Sequence, residues 1–225
     1  MLTSLLKGWR LEKRENVSRI LLFIIPFISI IIGLVFAGAL IAVIGKNPLT
    51  VYRLMLDGAF GNMYGLSETV VKAIPLMLTS LAVAVAFRMQ LWNIGAEGQL
   101  YMGAFGATWV ALTYPLWPAY LLLPAMMAAG CLCGGLWGLL PALPRAYWKV
   151  NETITTLLLN YIGIFWVDYF VYGPWKDPRG LGFPITAHFA EGAILPSFGV
   201  TRIHLGLVFA LAAAVILYII LTQTK

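Results

Sequence analysis

The chain has 225 residues, of which 61% are hydrophobic and 11% charged. A soluble domain carries about 25% charged residues, so a water-soluble fold of this composition would leave large apolar patches facing solvent, and the same apolar content excludes intrinsic disorder. The 15 Lys+Arg against 9 Asp+Glu, a net +6, gather at the ends of apolar runs, which is the pattern of membrane orientation and not of nucleic-acid binding.

The composition therefore predicts an all-α, polytopic membrane protein of about six transmembrane helices, and the elements can be taken in chain order. Residues 1–19 hold Lys7, Arg10, Lys13, Arg14 and Arg19, with Leu2, Leu5, Leu6 and Trp9 at helical spacing. This is either an amphipathic helix on the cytoplasmic lipid surface or a solvated basic tail. Residues 20–225 form the membrane domain. The 25 residues 20–44 carry no charge, too long an apolar core for a signal peptide, so they read as a retained anchor. The five basic residues before it put the N-terminus in the cytoplasm. Further spans are expected near residues 69–87, 94–114, 116–143, 152–172 and 205–222. The fourth is long and holds Pro118, Pro124 and Pro141, so it is expected to tilt, kink or be shorter than written. Arg88, Arg145 and Lys149 then fall on the cytoplasmic side, and the connections 45–68 and 173–204 lie outside.

Gly130, Gly134 and Gly138 recur every four residues in the fourth span and line one helix face, letting a neighbour approach closely. That face serves either a sliding or dimer contact, or static packing within the chain. Cys131 and Cys133 lie about 200° apart on a helix, so they cannot bridge to each other. With no further ligands nearby they make no metal site, and they read as small apolar fillers.

Two polar stretches interrupt the apolar pattern. The first is FRMQLWNIGAEGQLYMG, residues 87–103. A third span starting at Leu100 would be too short for a ~30 Å core, so it must recruit residues 93–99 and bring Asn93, Glu97 and Gln99 to the membrane boundary. Polar groups there need a partner or a wet cavity. Asn93 is expected to cap the new helix, with Glu97 in its early turns. A broken helix facing a polar cavity and a tight capped turn are both compatible with this spacing. The second stretch, VNETITTLLLNYIG, residues 150–163, places Glu152, Thr156, Asn160 and Gly163 on one helix face. Lining of a pathway and interhelical hydrogen bonding explain that stripe equally well. No HExxH, Gly-x-Ser-x-Gly or Walker-type loop occurs, so nothing in the chain hydrolyses ATP or points to a resident cofactor.

In these stretches the sequence resembles permease subunits of ABC importers for nucleosides and simple sugars, the branch served by basic-membrane-protein-type binding lipoproteins. The resemblance rests on LWNIGAEGQLYMGA (91–104), VNETITTLLLNYI (150–162) and GPWKDP (173–178). It extends through ETVVKAIPLMLTSLAVAVAFRMQ (68–90). It implies a multi-pass subunit of the bacterial inner (plasma) membrane that pairs with a second permease, docks on an ABC ATPase subunit and receives solute from an external lipoprotein. It further implies that the substrate path includes the regions of Asn93, Glu97, Gln99, Thr156 and Asn160. Members of that family are longer, with a cytoplasmic coupling segment expected after the sixth span, where this sequence reaches Lys225. Permeases for monosaccharides or branched-chain amino acids share the architecture. An integral-membrane enzyme using Arg88, Glu97 and Glu152, and a non-transporting scaffold subunit, are the readings from other classes.

Overall fold

The computed structural model describes residues 18–199 and 201–223, so the expected amphipathic segment lies outside the described residues but for its last two positions. Seven α-helices and one 3-10 turn are present among them. They fall into two compact units, Met1–Gly61 and Asn62–Lys225.

The first unit holds α1, Arg19–Val43, and α2, Pro48–Phe60. The second of these helices was not expected, because residues 45–68 read as a connection. Its start was nonetheless written locally. Asn47 accepts from the Leu49 N–H at 3.0 Å, and Pro48 occupies the first turn, where its missing N–H costs nothing. α2 folds back on α1, with the Tyr52 hydroxyl donating to the Leu34 carbonyl at 2.5 Å.

The second unit holds α3, Met63–Arg88, α4, Ala96–Thr113, and α5, Ala119–Trp148, followed by α6, Glu152–Tyr172, and α7, Gly206–Gln223. α4 is central: it packs most extensively on α5, next on α6, and touches α3, while α3 packs on α7. α5 stays helical for 30 residues with Pro124, Pro141 and Pro144 inside it, about 45 Å at 1.5 Å per residue. That exceeds the ~30 Å hydrocarbon core and requires tilt or protrusion. The start of α6 at Glu152 and its end at Tyr172 fall where the sequence put them.

Five helices among the described residues are long and apolar enough to cross a membrane: α3, α5, α6, α7 and the 23–43 part of α1. The expected third span is present as a helix, α4, but its composition does not qualify it, because Glu97, Gln99 and three glycines displace apolar side chains. Burial is inverted relative to a soluble protein. Large apolar residues such as Phe36, Leu132 and Phe165 are exposed, whereas Ser67, Thr156 and Asn160 are buried. Lipid is the solvent that makes that arrangement favourable.

The segment between α6 and α7 is ordered by two isolated β-bridges, Lys176 with Thr186 and Ser197 with His204, and by the 3-10 turn Glu191–Ala193. Trp175 of the GPWKDP stretch stacks on Phe105 of α4 at 4.9 Å and lies 4.9 Å from Phe170 of α6. This aromatic cluster anchors the segment to the middle of α4 and the end of α6.

Candidate functional site

The polar site is built where α4 begins. α3 ends at Arg88, and Gln90 then takes a left-handed conformation, φ 58°, that turns the chain. An irregular stretch, 91–95, follows. Such backbone is tolerated at membrane depth only if its N–H and C=O groups find partners. Contrary to the expectation from sequence, Asn93 does not cap α4; it accepts from the Gly95 N–H at 2.8 Å and closes a turn just before the helix. The N-cap residue is Gly95, which has no side chain to offer.

The missing caps come from α6. Thr156 Oγ1 accepts from the Ile94 N–H at 3.2 Å, while its own hydroxyl donates to the Glu152 carbonyl at 2.7 Å. Asn160 Oδ1 accepts from the Gly98 N–H, the third residue of α4 and the position an N-cap side chain normally serves. The Asn160 amide also donates to Glu97 Oε2 at 3.4 Å, orienting the carboxylate in the first turn of α4, where the helix dipole favours negative charge. The polar stripe of α6 is thus an interhelical capping device for α4. The sequence showed the stripe but not its target.

Close approach makes these bonds possible. A Cβ on Gly98 would lie 2.7 Å from the Asn160 Cα, and one on Gly163 would lie 3.1 Å from the Gly98 carbonyl oxygen. Trp137 of α5 closes the third side by donating from Nε1 to the Leu159 carbonyl at 3.2 Å.

On its other flank α4 meets the glycine face of α5. A Cβ on Gly130 would be 3.2 Å from the Gly103 oxygen, one on Gly134 would be 3.0 Å from the Gln99 oxygen, and one on Gly138 would be 3.0 Å from Gln99 Nε2. These three glycines pack within the chain. Gly106 on α4 completes the contact, since its Cβ would lie 2.7 Å from the Ala129 oxygen. The spacing on α5 had marked one side of this contact and missed the glycines of α4.

Two cavities adjoin the site, both open at the surface of the chain. One, about 240 Å³, brings Asn93, Gln99 and Thr156 together with Arg145 and Glu152, whose side chains pair at 3.2 Å. The other, about 960 Å³, lies against α3, α4 and α5 and reaches Ala193, Leu195 and His204 of the 173–204 segment. Among the described residues its walls carry no Asp, Glu, Lys or Arg, and their polar side chains include Thr79, Gln99 and His204. His204 Nδ1 accepts from the Gly206 N–H at 3.1 Å, which leaves Nε2 to carry the ring proton. Glu97 faces neither cavity; it borders a groove between α3 and α4 with Thr79, Ser80 and Tyr101. Asn160 is buried against α4 and lines neither of the two cavities.

The chain is similar to several characterised proteins. It is 36% identical over 227 residues to a glucose ABC transporter permease protein of Haloferax volcanii, covering 96% of this chain and 59% of the relative. It is 37% identical to a guanosine ABC transporter permease protein of Bacillus subtilis, covering 92% of this chain and 60% of the relative. A nucleoside ABC transporter permease protein of Lactococcus lactis subsp. cremoris is 30% identical, with coverages of 89% and 57%. The chain thus spans less than two thirds of the length of these curated relatives. No solved structure matches it. The family model for the permease component of branched-chain amino acid transport systems matches residues 65–225, the stretch that holds the capped start of α4, the glycine face and both cavities, and the chain belongs to that family of multi-pass membrane transport subunits, not to an enzyme family.

Proposed function

We propose that this chain contributes to the translocation path of an ABC importer for an uncharged polar solute, with a nucleoside as the leading candidate. The observation that carries the proposal is the larger cavity, some 960 Å³ with no charged side chain in its wall. An amino acid is a zwitterion, and moving its two charges into an apolar-walled space without counter-charges is costly. A nucleoside or a sugar brings hydroxyl and amide groups that a few polar side chains serve. The family's description names branched-chain amino acids, yet the relatives in Bacillus subtilis and Lactococcus lactis are named for guanosine and nucleosides. Glucose is the second reading, favoured by the Haloferax volcanii relative at nearly the same identity.

The partners follow from the same reading: a second permease subunit, an ABC ATPase subunit that hydrolyses ATP, and an external substrate-binding lipoprotein. The inferred orientation places the N-terminus in the cytoplasm, supported by Arg88, Arg145 and Lys149 beside the turns that lead into α4 and α6. The turn-side cavity then opens inward and the loop-side cavity outward.

The test is ATP-dependent uptake by the complete importer in proteoliposomes, offered labelled guanosine, glucose and leucine separately. Guanosine uptake that unlabelled leucine does not compete supports the proposal. Uptake of leucine in preference to both uncharged solutes overturns it, and absence of uptake of all three favours a non-transporting role.

A further inference from the structure

The two cavities are not independent. Along α5 the loop-side cavity is lined from Leu123 to Gly135 and the turn-side cavity from Gly138 to Arg145. Leu123 to Arg145 is about 33 Å of helix at 1.5 Å per residue, comparable with the ~30 Å hydrocarbon core. On α4 the loop-side cavity is lined by Ala96, Gln99, Leu100, Gly103, Ala104 and Ala107, while the turn-side cavity meets the helix at Gln99 and the stretch before it at Asn93. Among the described residues only Ala82 of α3 and Gln99 of α4 line both spaces.

Gln99 is the polar one of the pair. Its amide makes no hydrogen bond within the described residues, although it can donate two and accept two. It is half-buried, and α5 makes room for it: a Cβ on Gly138 would stand 3.0 Å from its Nε2 and 3.4 Å from its Cδ. The helix that carries it is held in place at Gly98, one residue earlier, by Asn160. An unpaired amide on a fixed backbone, between an outer space without charged side chains and an inner one that holds the Arg145–Glu152 pair, supplies the hydrogen bonds that an uncharged solute gives up on leaving water.

We infer that Gln99 is the waist of the translocation path: the side chain that separates the outer from the inner cavity and hydrogen-bonds the solute as it passes. This rests on the transport reading above and deepens it by naming the residue that the solute must meet. Asn93 lies on the inner side of the waist, whereas Asn160 and Thr156 hold the waist in position.

The test uses the complete importer in proteoliposomes, with Cys131 and Cys133 changed to serine because Cys131 lines the outer cavity. Single cysteines replace Ala107 (outer cavity), Gln99 and Ala142 (inner cavity), and each is probed with a membrane-impermeant thiol reagent from either side, with and without ATP. The expected pattern is labelling of Ala107→Cys from outside, of Ala142→Cys from inside, and of Gln99→Cys from both, the side changing with nucleotide. In the same preparation Gln99→Leu, close in volume and without the amide, lowers initial guanosine uptake roughly ten-fold, the loss of about one hydrogen bond. Gln99→Asn restores part of it. Labelling of Gln99→Cys from one side only in every state overturns the inference, as does uptake by Gln99→Leu at the parent rate. If the parent importer moves neither guanosine nor glucose, the functional reading itself fails and the waist fails with it.

Discussion

The two flanks of α4 hold it by opposite means. Toward α5 the contact is made by close approach of the backbones, with Gly103 against Gly130 and Gly134 and Gly106 against Ala129 and Cys133, and no side-chain hydrogen bond between the two helices among the described residues. Toward α6 the contact is made by side chains on backbone, with Thr156 and Asn160 accepting from the Ile94 and Gly98 N–H groups. Apolar association gives no net driving force between helices in lipid, so close packing and polar satisfaction are what remain. Here the two are divided between neighbours. The glycine flank sets how near α5 can come, and the polar flank makes it possible for α4 to begin inside the membrane at all.

The sharpest way to break the glycine flank is Gly106→Leu. Its Cβ would lie 2.7 Å from the Ala129 oxygen and 2.7 Å from Cys133 Sγ, and the backbone oxygen cannot rotate away as a side chain does. The expected loss is about 3 kcal/mol, read as a lower midpoint of thermal aggregation in detergent and a reduced yield of monodisperse protein. Gly135→Ala on α5 is the control, since nothing lies within 4 Å of its Cβ position. It should leave the midpoint unchanged or raise it by up to about 1 kcal/mol through helix propensity. Equal damage by both substitutions would show that helix α5, and not the α4 contact, is what matters.

The polar flank is broken next by Asn160→Leu, which leaves the Gly98 N–H buried without an acceptor. The expected cost is about 1–2 kcal/mol, below that of the glycine clash. Asn160→Asp separates the two roles of the side chain. It keeps an acceptor for Gly98 but sets a second carboxylate against Glu97, where the amide now donates at 3.4 Å. If capping dominates, Asn160→Asp stays closer to the parent than Asn160→Leu in the same melting experiment; the reverse order would assign the weight to the Glu97 contact.

The spans of this fold were legible because a 20-residue apolar run admits few interpretations, and the cap of α6 was legible in Asn151, which accepts from the Thr153 N–H. Helix α2 is not legible despite the Asn47–Pro48 start, because 13 residues with Arg53 and Asp57 among them are too short and too interrupted to read as a span. The α4 break was visible in Asn93, Glu97 and Gln99, but which residue capped it was not. A local rule assigns the cap to the nearest Asn in sequence, whereas the structure draws it from Asn160, 62 positions away. For the same reason the stripe at Thr156 and Asn160 looked equally suited to a pathway and to a contact: spacing gives the face of a helix, not what faces it. The division between Gln99, bordering both cavities, and Asn160, bordering neither, appears only when α3, α4, α5 and α6 are brought together.

The smallest effect is expected at Thr156→Val, and it tests how dry the start of α4 is. Valine matches threonine in shape, so packing against Gly95 is preserved while the Ile94 N–H loses its 3.2 Å acceptor. Thr156 is itself buried, but Ile94 is exposed. Water entering from the turn-side cavity, which Thr156 lines, would take over as acceptor and hold the loss to about 0.5 kcal/mol; a dry site would raise it to about 1 kcal/mol or more. Hydrogen exchange at the Ile94 amide distinguishes the two. Fast exchange in the parent that Thr156→Val barely alters marks a hydrated break, and a protected amide released by the substitution marks a sealed one. Only the hydrated case is compatible with Asn93 and Gln99 standing beside a route that a polar solute follows.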